Sequence, residues 1–243
     1  MNRKENSGIQ VYAMECSLLA GGEAFDRGLA RIGPMLAERV QMCRNEADRR
    51  RRLAAYILLE RAFSGWKPFG QNRCLAGELY RRAEGGKPYL EGNTEFQFNL
   101  SHSGDCAVCA FGNVPVGVDV QERRPLRSDI ASRFFSGREA ALLKSCANEK
   151  EREDLFFHLW CAKEACVKLT GQGLAAGIDQ LEVFPEEACI RHTGSGAEIR
   201  LWQQFFQREG TDYFLAVCLD SVSGETIGDA EKIQIETEWI TEL

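Results

Sequence analysis

Residues 150–170 read as one helix closed by Gly171-Gln172-Gly173, and this helix restricts the chain more than any other stretch. His158, Leu159, Trp160 and Val167 make it largely apolar, so it belongs inside the protein. Trp160, Glu164 and Lys168 nevertheless recur every fourth residue and share one face, with Lys163 just to the side. On a solvated surface a Glu–Lys pair at this spacing adds only ~0.2–0.5 kcal/mol. In a buried helix the same pair costs desolvation and needs a reason. A carboxylate beside a cation is what a metal ion and a phosphate use together.

The rest of the pattern supplies short strands and a second long helical stretch. Residues 9–18 read as a first strand, and 34–64 as helix broken once, with Leu53, Ala54, Ile57, Leu58 and Phe63 in an apolar stripe. Residues 85–90 (GGKPYL) make a Gly-Pro turn into an extended segment, and 94–100 alternate as a strand. Ser101–Asp105 reads as a turn, 106–112 (CAVCAFG) as the return strand, and Asn113-Val114-Pro115 as another turn. Residues 116–121 (VGVDVQ) form a strand with Val118 and Val120 on one face and Asp119 and Gln121 on the other. Residues 128–145 read as helix interrupted near Ser136-Gly137. Strands follow at 179–184, 197–202 and 213–220, and a polar, acidic tail holds one more at 232–240. The expected fold class is α+β: helices packed on a small antiparallel sheet, twice.

At 243 residues the chain has ample core material, and its 44% hydrophobic and 27% charged residues suit a globular protein. A net charge of −6 argues against a nucleic-acid binder, while leaving room for a local basic patch. No apolar run is long enough to span a membrane, and the N-terminus lacks a signal-peptide h-region, so the expected compartment is the cytoplasm. The ten cysteines are scattered and read as free thiols. Cys106 and Cys109 lie on opposite faces of a strand, which is poor chelate geometry.

Three segments carry chemistry. Asp119 sits in an apolar strand, where a desolvated carboxylate must be ion-paired, hydrogen-bonded or metal-bound. Glu164 and Lys168 lie on the helix described above. Asn99-Leu100-Ser101-His102-Ser103 follows a strand; Ser101 and His102 face apart in an extended chain, so they form no serine–histidine dyad. The Arg49–Arg52 run is either a solvated helix end or an anion site. No Walker A loop and no GxGxxG follows a strand, which excludes the common nucleotide-binding loops. A carboxylate pair for a hard cation, with several cations for phosphate, points to metal-assisted phosphoryl chemistry.

Five motifs in order resemble the 4′-phosphopantetheinyl transferases of the surfactin-synthetase-activating type. They are Gly86-Lys87-Pro88, Phe98-Asn99-Leu100-Ser101-His102-Ser103, Val116-Gly117-Val118-Asp119-Val120, Arg133-Phe134-Phe135-Ser136, and Trp160-Cys161-Ala162-Lys163-Glu164-Ala165 with Lys168. The resemblance is strongest over residues 85–175. It implies two pseudo-twofold-related α+β subdomains, 1–115 on the 3′-phosphate side and 116–243 on the metal and pyrophosphate side, with the active site in the cleft between them. It implies transfer of the phosphopantetheine arm of coenzyme A to a serine of an apo acyl or peptidyl carrier protein, with Mg2+, releasing adenosine 3′,5′-bisphosphate. Asp119, Gln121 and Glu164 are then the metal ligands, and Glu164, Lys168 and Asp119 the catalytic set. Arg51, Lys87, Pro88, Ser101, His102, Lys163 and Lys168 are then the coenzyme A contacts, with Arg51 placed to within one position of the arginine run.

Gln121 stands where the family often has glutamate, which implies a less negative metal site. Glu122 faces the other way unless the strand bulges. Carriers are usually acidic, so Arg123, Arg124, Arg127 and Arg133, with the helix near Ile130–Leu143, form the expected docking face, although Phe134 and Phe135 also read as core. The family type implies secondary metabolism on nonribosomal-peptide or polyketide carriers and a monomer. The alternatives are a non-catalytic coenzyme A-binding protein of the same fold and a metal-dependent phosphohydrolase.

Overall fold

The computed structural model describes residues 8–66, 75–125, 133–171, 177–220 and 235–242. Two sheets lie face to face, and each carries helices on its outer side. The first sheet has the order β11-β1-β5-β4, with β1 Gln10–Glu15, β4 Gln97–Ser103, β5 Cys106–Gly112 and β11 Glu236–Trp239. The second has the order β6-β10-β9-β8-β7, with β6 Val116–Glu122, β7 Leu181–Phe184, β8 Cys189–His192, β9 Glu198–Arg208 and β10 Thr211–Asp220. A separate hairpin pairs β2 (Tyr80–Arg82) with β3 (Pro88–Leu90).

Burial on both faces explains the near-continuous apolar strands. Cys106, Val108 and Ala110 of β5 face the second sheet, together with Val118 and Val120 of β6 and Leu215 and Val217 of β10. Ala107, Cys109 and Phe111 face the other way, against the helices α1 (Gly22–Leu29), α2 (Pro34–Gln41), α3 (Glu46–Gly65) and α4 (Ala76–Leu79). On the outer side of the second sheet, Phe214, Ala216 and Cys218 pack under α6 (Glu149–Thr170), beside α5 (Gly137–Ser145). The helix ends follow the sequence: Asn45 and Asn148 cap α3 and α6 through their side chains, and Ser136 with Glu139 forms a capping box on α5. Gly171, at φ +71°, ends α6 in the left-handed conformation that glycine adopts freely.

Several expected boundaries move. The helix expected over 34–64 breaks between Gln41 and Glu46, where the Asn45 cap starts a new helix and Arg49 Nε donates to Cys43 O at 2.7 Å. Ser101 and His102 are not in a turn; β4 runs on to Ser103, and Gly104 with Asp105 makes the reversal. Strand β8 lacked a clear signal, and β9 runs six residues beyond Trp202 to Arg208. The tail strand is real and returns to the first sheet, where it pairs parallel to β1. Ile235 then joins the core between the sheets and Ile240 the helical core. Residues 128–132 of the helix expected over 128–145, with Ile130, lie outside the described residues, as do Arg127, Gln172 and Gly173.

The two sheets meet at a polar seam. Strand β6 is the edge of its sheet, so alternate amides point away from β10. Val118 N–H donates to Asn99 Oδ1 at 3.0 Å, Val120 N–H to Ser101 Oγ at 3.3 Å, and Glu122 N–H to Ser103 Oγ at 3.0 Å. Side chains at every second residue of β4 thus serve the edge as a neighbouring strand would, at a position where unpaired buried amides are costly. Asn99→Ala leaves a fully buried amide unserved and is expected to lower stability by about 2 kcal/mol. Ser103→Ala, nearer solvent at the strand end, is expected to cost less than half of that. Urea titration checks the ranking, and equal losses contradict it.

Candidate active site

The site begins with the packing of α6 on β6. A Cβ on Gly117 would lie 2.1 Å from Ala165 O and 2.5 Å from Leu169 N, so only glycine admits the helix this close. Odd-numbered positions of β6 face that helix, so Asp119 and Gln121 point towards it. Asp119 is 2% exposed. Its Oδ1 accepts from Ser101 Oγ at 2.8 Å and from Lys168 Nζ at 2.6 Å, and its Oδ2 accepts from Gln121 Nε2 at 2.6 Å. Ser101 spends its one donor on Asp119 and accepts from Val120 N–H and, at 2.8 Å, from Lys168 Nζ. Every hydrogen-bonding position of that hydroxyl is used, which fixes its rotamer.

One turn before Lys168, Glu164 faces a cleft of about 410 Å³, walled by α6 and the β2–β3 hairpin and lined also by Arg82, Lys87, Pro88 and Lys168. Among the described residues no side chain or amide is recorded as hydrogen-bonding to its carboxylate. Burial, and then the Asp119 charge, push its pKa up to about 7 against the opposing pull of Lys168. An adjoining recess of about 300 Å³ is lined by Arg52, Tyr56, Tyr80, Arg82, His102 and Lys168. His102 is on the outward face of β4 at the mouth of this recess. Enclosure by the recess, followed by the Lys168 and Arg51 charges, lowers its pKa. The arrangement is a pair of carboxylates at the floor of a groove whose walls carry cations, suited to a polyanion.

The structure sorts the residues named from the sequence. Asp119, Gln121, Glu164, Lys168, Ser101 and His102 come together at the meeting of the two spaces, and Lys87 and Pro88 approach from the hairpin. Lys87 Nζ donates to Leu169 O at 2.6 Å, and burial lowers its pKa. Lys163 does not join them. It points to the far side of α6, wholly buried, pairs with Glu139 at 2.8 Å, and donates to Phe134 O and Leu181 O. Its neighbour Glu164 is about 100° away around the helix, so adjacency in sequence separates them in space. Arg51 is engaged by Asp48 and by Gly104 O, whereas Arg52 lines the recess. Arg52 lies within the Arg49–Arg52 run and one position from Arg51, and it shares the recess with Ala55 and Tyr56, three and four residues on. Arg82 had only its place before the glycine-rich turn to mark it.

For a metal, the donors are few. Among the described residues no group of three or more His, Cys, Asp or Glu could hold an ion. Asp119 and Glu164, with the Gln121 amide turned to present its carbonyl, fit magnesium, which takes one or two carboxylates and completes its shell with phosphate oxygens and water. They do not fit structural zinc. Strand β6 pairs residue for residue with β10 through Glu122, so no bulge brings Glu122 into the set. Instead Glu122 pairs with Arg124.

The sequence model of the 4′-phosphopantetheinyl transferase superfamily matches residues 115–218, which span β6, α6 and most of β10. A 4′-phosphopantetheinyl transferase of Bacillus subtilis is 34% identical over 177 residues, 72% of this chain and 76% of its own length. The chain belongs to the 4′-phosphopantetheinyl transferase superfamily. The transferase psf-1 of Bacillus pumilus is 45% identical over 100 residues, 41% of this chain and 42% of that protein. The transferase Sfp of Bacillus subtilis strain 168 is 29% identical over 175 residues, with 72% and 76% covered. In this transferase the expected docking residues are largely engaged: Phe135 packs in the core on Phe156, and Arg123 binds Glu153, Asp154 and Asp212. Arg124 and Arg133 remain at the surface.

The Glu164 carboxyl gives a test that needs no substrate. The unfolded chain releases this proton near 4.5 and the folded one near 7, so the cost of ionisation grows as pH rises between those values and is complete above them. In EDTA at pH 8, Glu164→Gln is expected to be more stable than wild type by on the order of 2 kcal/mol, and at pH 5 by only about a quarter of that. Thermal unfolding at the two pH values checks this.

Proposed function

We propose that this transferase binds coenzyme A across the two adjoining spaces and moves its phosphopantetheine arm to a serine of an apo acyl or peptidyl carrier protein, with Mg2+. The observation that carries the reading is the grouping of Asp119 and Glu164 with Lys168, His102, Arg52 and Lys87 in one groove. A 3′-phosphate suits the His102 end, beside Arg52 and with Arg51 close by. The pyrophosphate suits Lys168, which stands between the spaces. Both walls of the groove come from one chain, which supports a monomeric enzyme. The set is divided accordingly, with 1–115 supplying the 3′-phosphate side and 116–243 the carboxylates. Among the described residues no helix is long and apolar enough to cross a membrane, in keeping with a cytoplasmic enzyme.

In the reaction a carrier serine oxygen attacks the β-phosphorus of coenzyme A, and adenosine 3′,5′-bisphosphate departs. Lys168 faces the bridging and 5′-phosphate oxygens that leave with adenosine 3′,5′-bisphosphate and offsets the negative charge that builds there. Glu164, whose carboxylate faces the cleft, takes the serine proton. Ser101 and Gln121 hold Asp119 in place. Magnesium, held by Asp119 and Glu164, supplies charge neutralisation on the pyrophosphate when bound.

Intact-mass spectrometry of an apo carrier protein incubated with enzyme, coenzyme A and Mg2+ tests the proposal. A gain of one phosphopantetheine group, abolished by EDTA, supports it. Coenzyme A binding without any gain, across carriers of several classes, replaces it with a non-catalytic binding protein. Asp119→Ala and Glu164→Gln are each expected to lower kcat/KM by at least ~1000-fold with the fold intact, and His102→Ala to raise KM for coenzyme A roughly tenfold with kcat little changed. Steady-state kinetics on a working carrier read out all three.

A further inference from the structure

The β2–β3 hairpin forms one wall of the cleft and, among the described residues, pairs with no other strand. Its base is fixed, because Tyr80 and Leu90 are each 1% exposed in the helical core. Its tip is held differently. Ala83 N–H donates to Lys87 O and Gly86 N–H to Ala83 O, which closes the turn, and the turn then rests on the C-terminal end of α6. There Lys87 Nζ meets Leu169 O at 2.6 Å, and Gly85 crosses the backbone of Gly171 so closely that a Cβ on Gly85 would lie 2.0 Å from Gly171 O. Two glycines in contact let backbones approach as no other pair can.

We propose that the Gly85–Gly171 crossing is a latch that sets the width of the cleft, and that Gly85 is thereby a positioning residue for coenzyme A. The argument rests on the reading of the cleft given above. The latch joins the two walls at the one end where the hairpin reaches α6. It fixes the distance between Arg82 and Pro88 on one side and Glu164 and Lys168 on the other. Gly85 is itself exposed, so an added methyl group has no core to disrupt. Against an immovable helix backbone, the tip of the hairpin is what yields. The wall then swings outward about its anchored base, and contacts made from both walls at once are lost.

Gly85→Ala is the test, with Gly85→Val as a larger step. In the ligand-free protein, hydrogen exchange of the segment 80–90 is expected to quicken in both variants, more in the valine variant, with Tm within ~2 °C of wild type. Unchanged exchange overturns the latch whatever the cleft binds, as does a fall in Tm that follows the bulk of the side chain. With coenzyme A, the expected result is a KM raised roughly tenfold by alanine and further by valine, with kcat at saturation within about twofold. An unchanged KM, or a kcat loss at constant KM, overturns it. Calorimetric binding of coenzyme A to His102→Ala and Lys168→Ala separates the two ideas. If these bind like wild type, the reading of the cleft fails. If they weaken and Gly85→Ala does not, the latch alone fails.

Discussion

The seam between β4 and β6 is the constraint on which the rest of this structure depends. An edge strand needs its outward amides served, and Asn99, Ser101 and Ser103 serve them. The same spacing that meets this need puts Ser101 against Asp119, and Asp119 against Lys168. A hydrogen-bonding requirement of the backbone and the geometry of the site are therefore met by one residue. Gly117 completes the arrangement by letting α6 lie on the strand, so that Glu164 and Lys168 reach the same point from the helix.

Two lysines show how differently one helix uses one residue type. Lys163 is enclosed by a carboxylate and backbone carbonyls and ties α6 to α5, to Phe134 and to the start of β7. That pair is fully satisfied, and breaking it leaves a buried charge. Lys168 keeps 29% of its side chain exposed and shares its ammonium between Ser101 and Asp119. A polyanion arriving at the groove can draw on that ammonium without unfolding anything.

Much of this was legible in the sequence for physical reasons. Period-two alternation in VGVDVQ puts Asp119 and Gln121 on one face, and the structure has the two side chains hydrogen-bonded. The closing glycine marked the C-terminal end of α6. What stayed hidden has causes of its own. Lys163 stood next to Glu164 in a motif, but neighbours on a helix point about 100° apart. Ser101–Ser103 looked like a turn because its residues are polar; pairing with β5 makes them strand, and the edge of β6, adjacent in the fold but separate in sequence, uses their polar side chains. Strand β11 could not be placed from the sequence, since its parallel partner β1 lies at the other end of the chain.

The central claim is that one groove, floored by Asp119 and Glu164 and walled by the hairpin and α6, holds coenzyme A and its magnesium. A crystal structure of the enzyme with coenzyme A and Mg2+ tests it most directly. The account predicts an ion ligated by both carboxylates, the pyrophosphate against Lys168 and the 3′-phosphate beside His102. Coenzyme A bound away from this groove, or in it with an ion that neither Asp119 nor Glu164 touches, would contradict it.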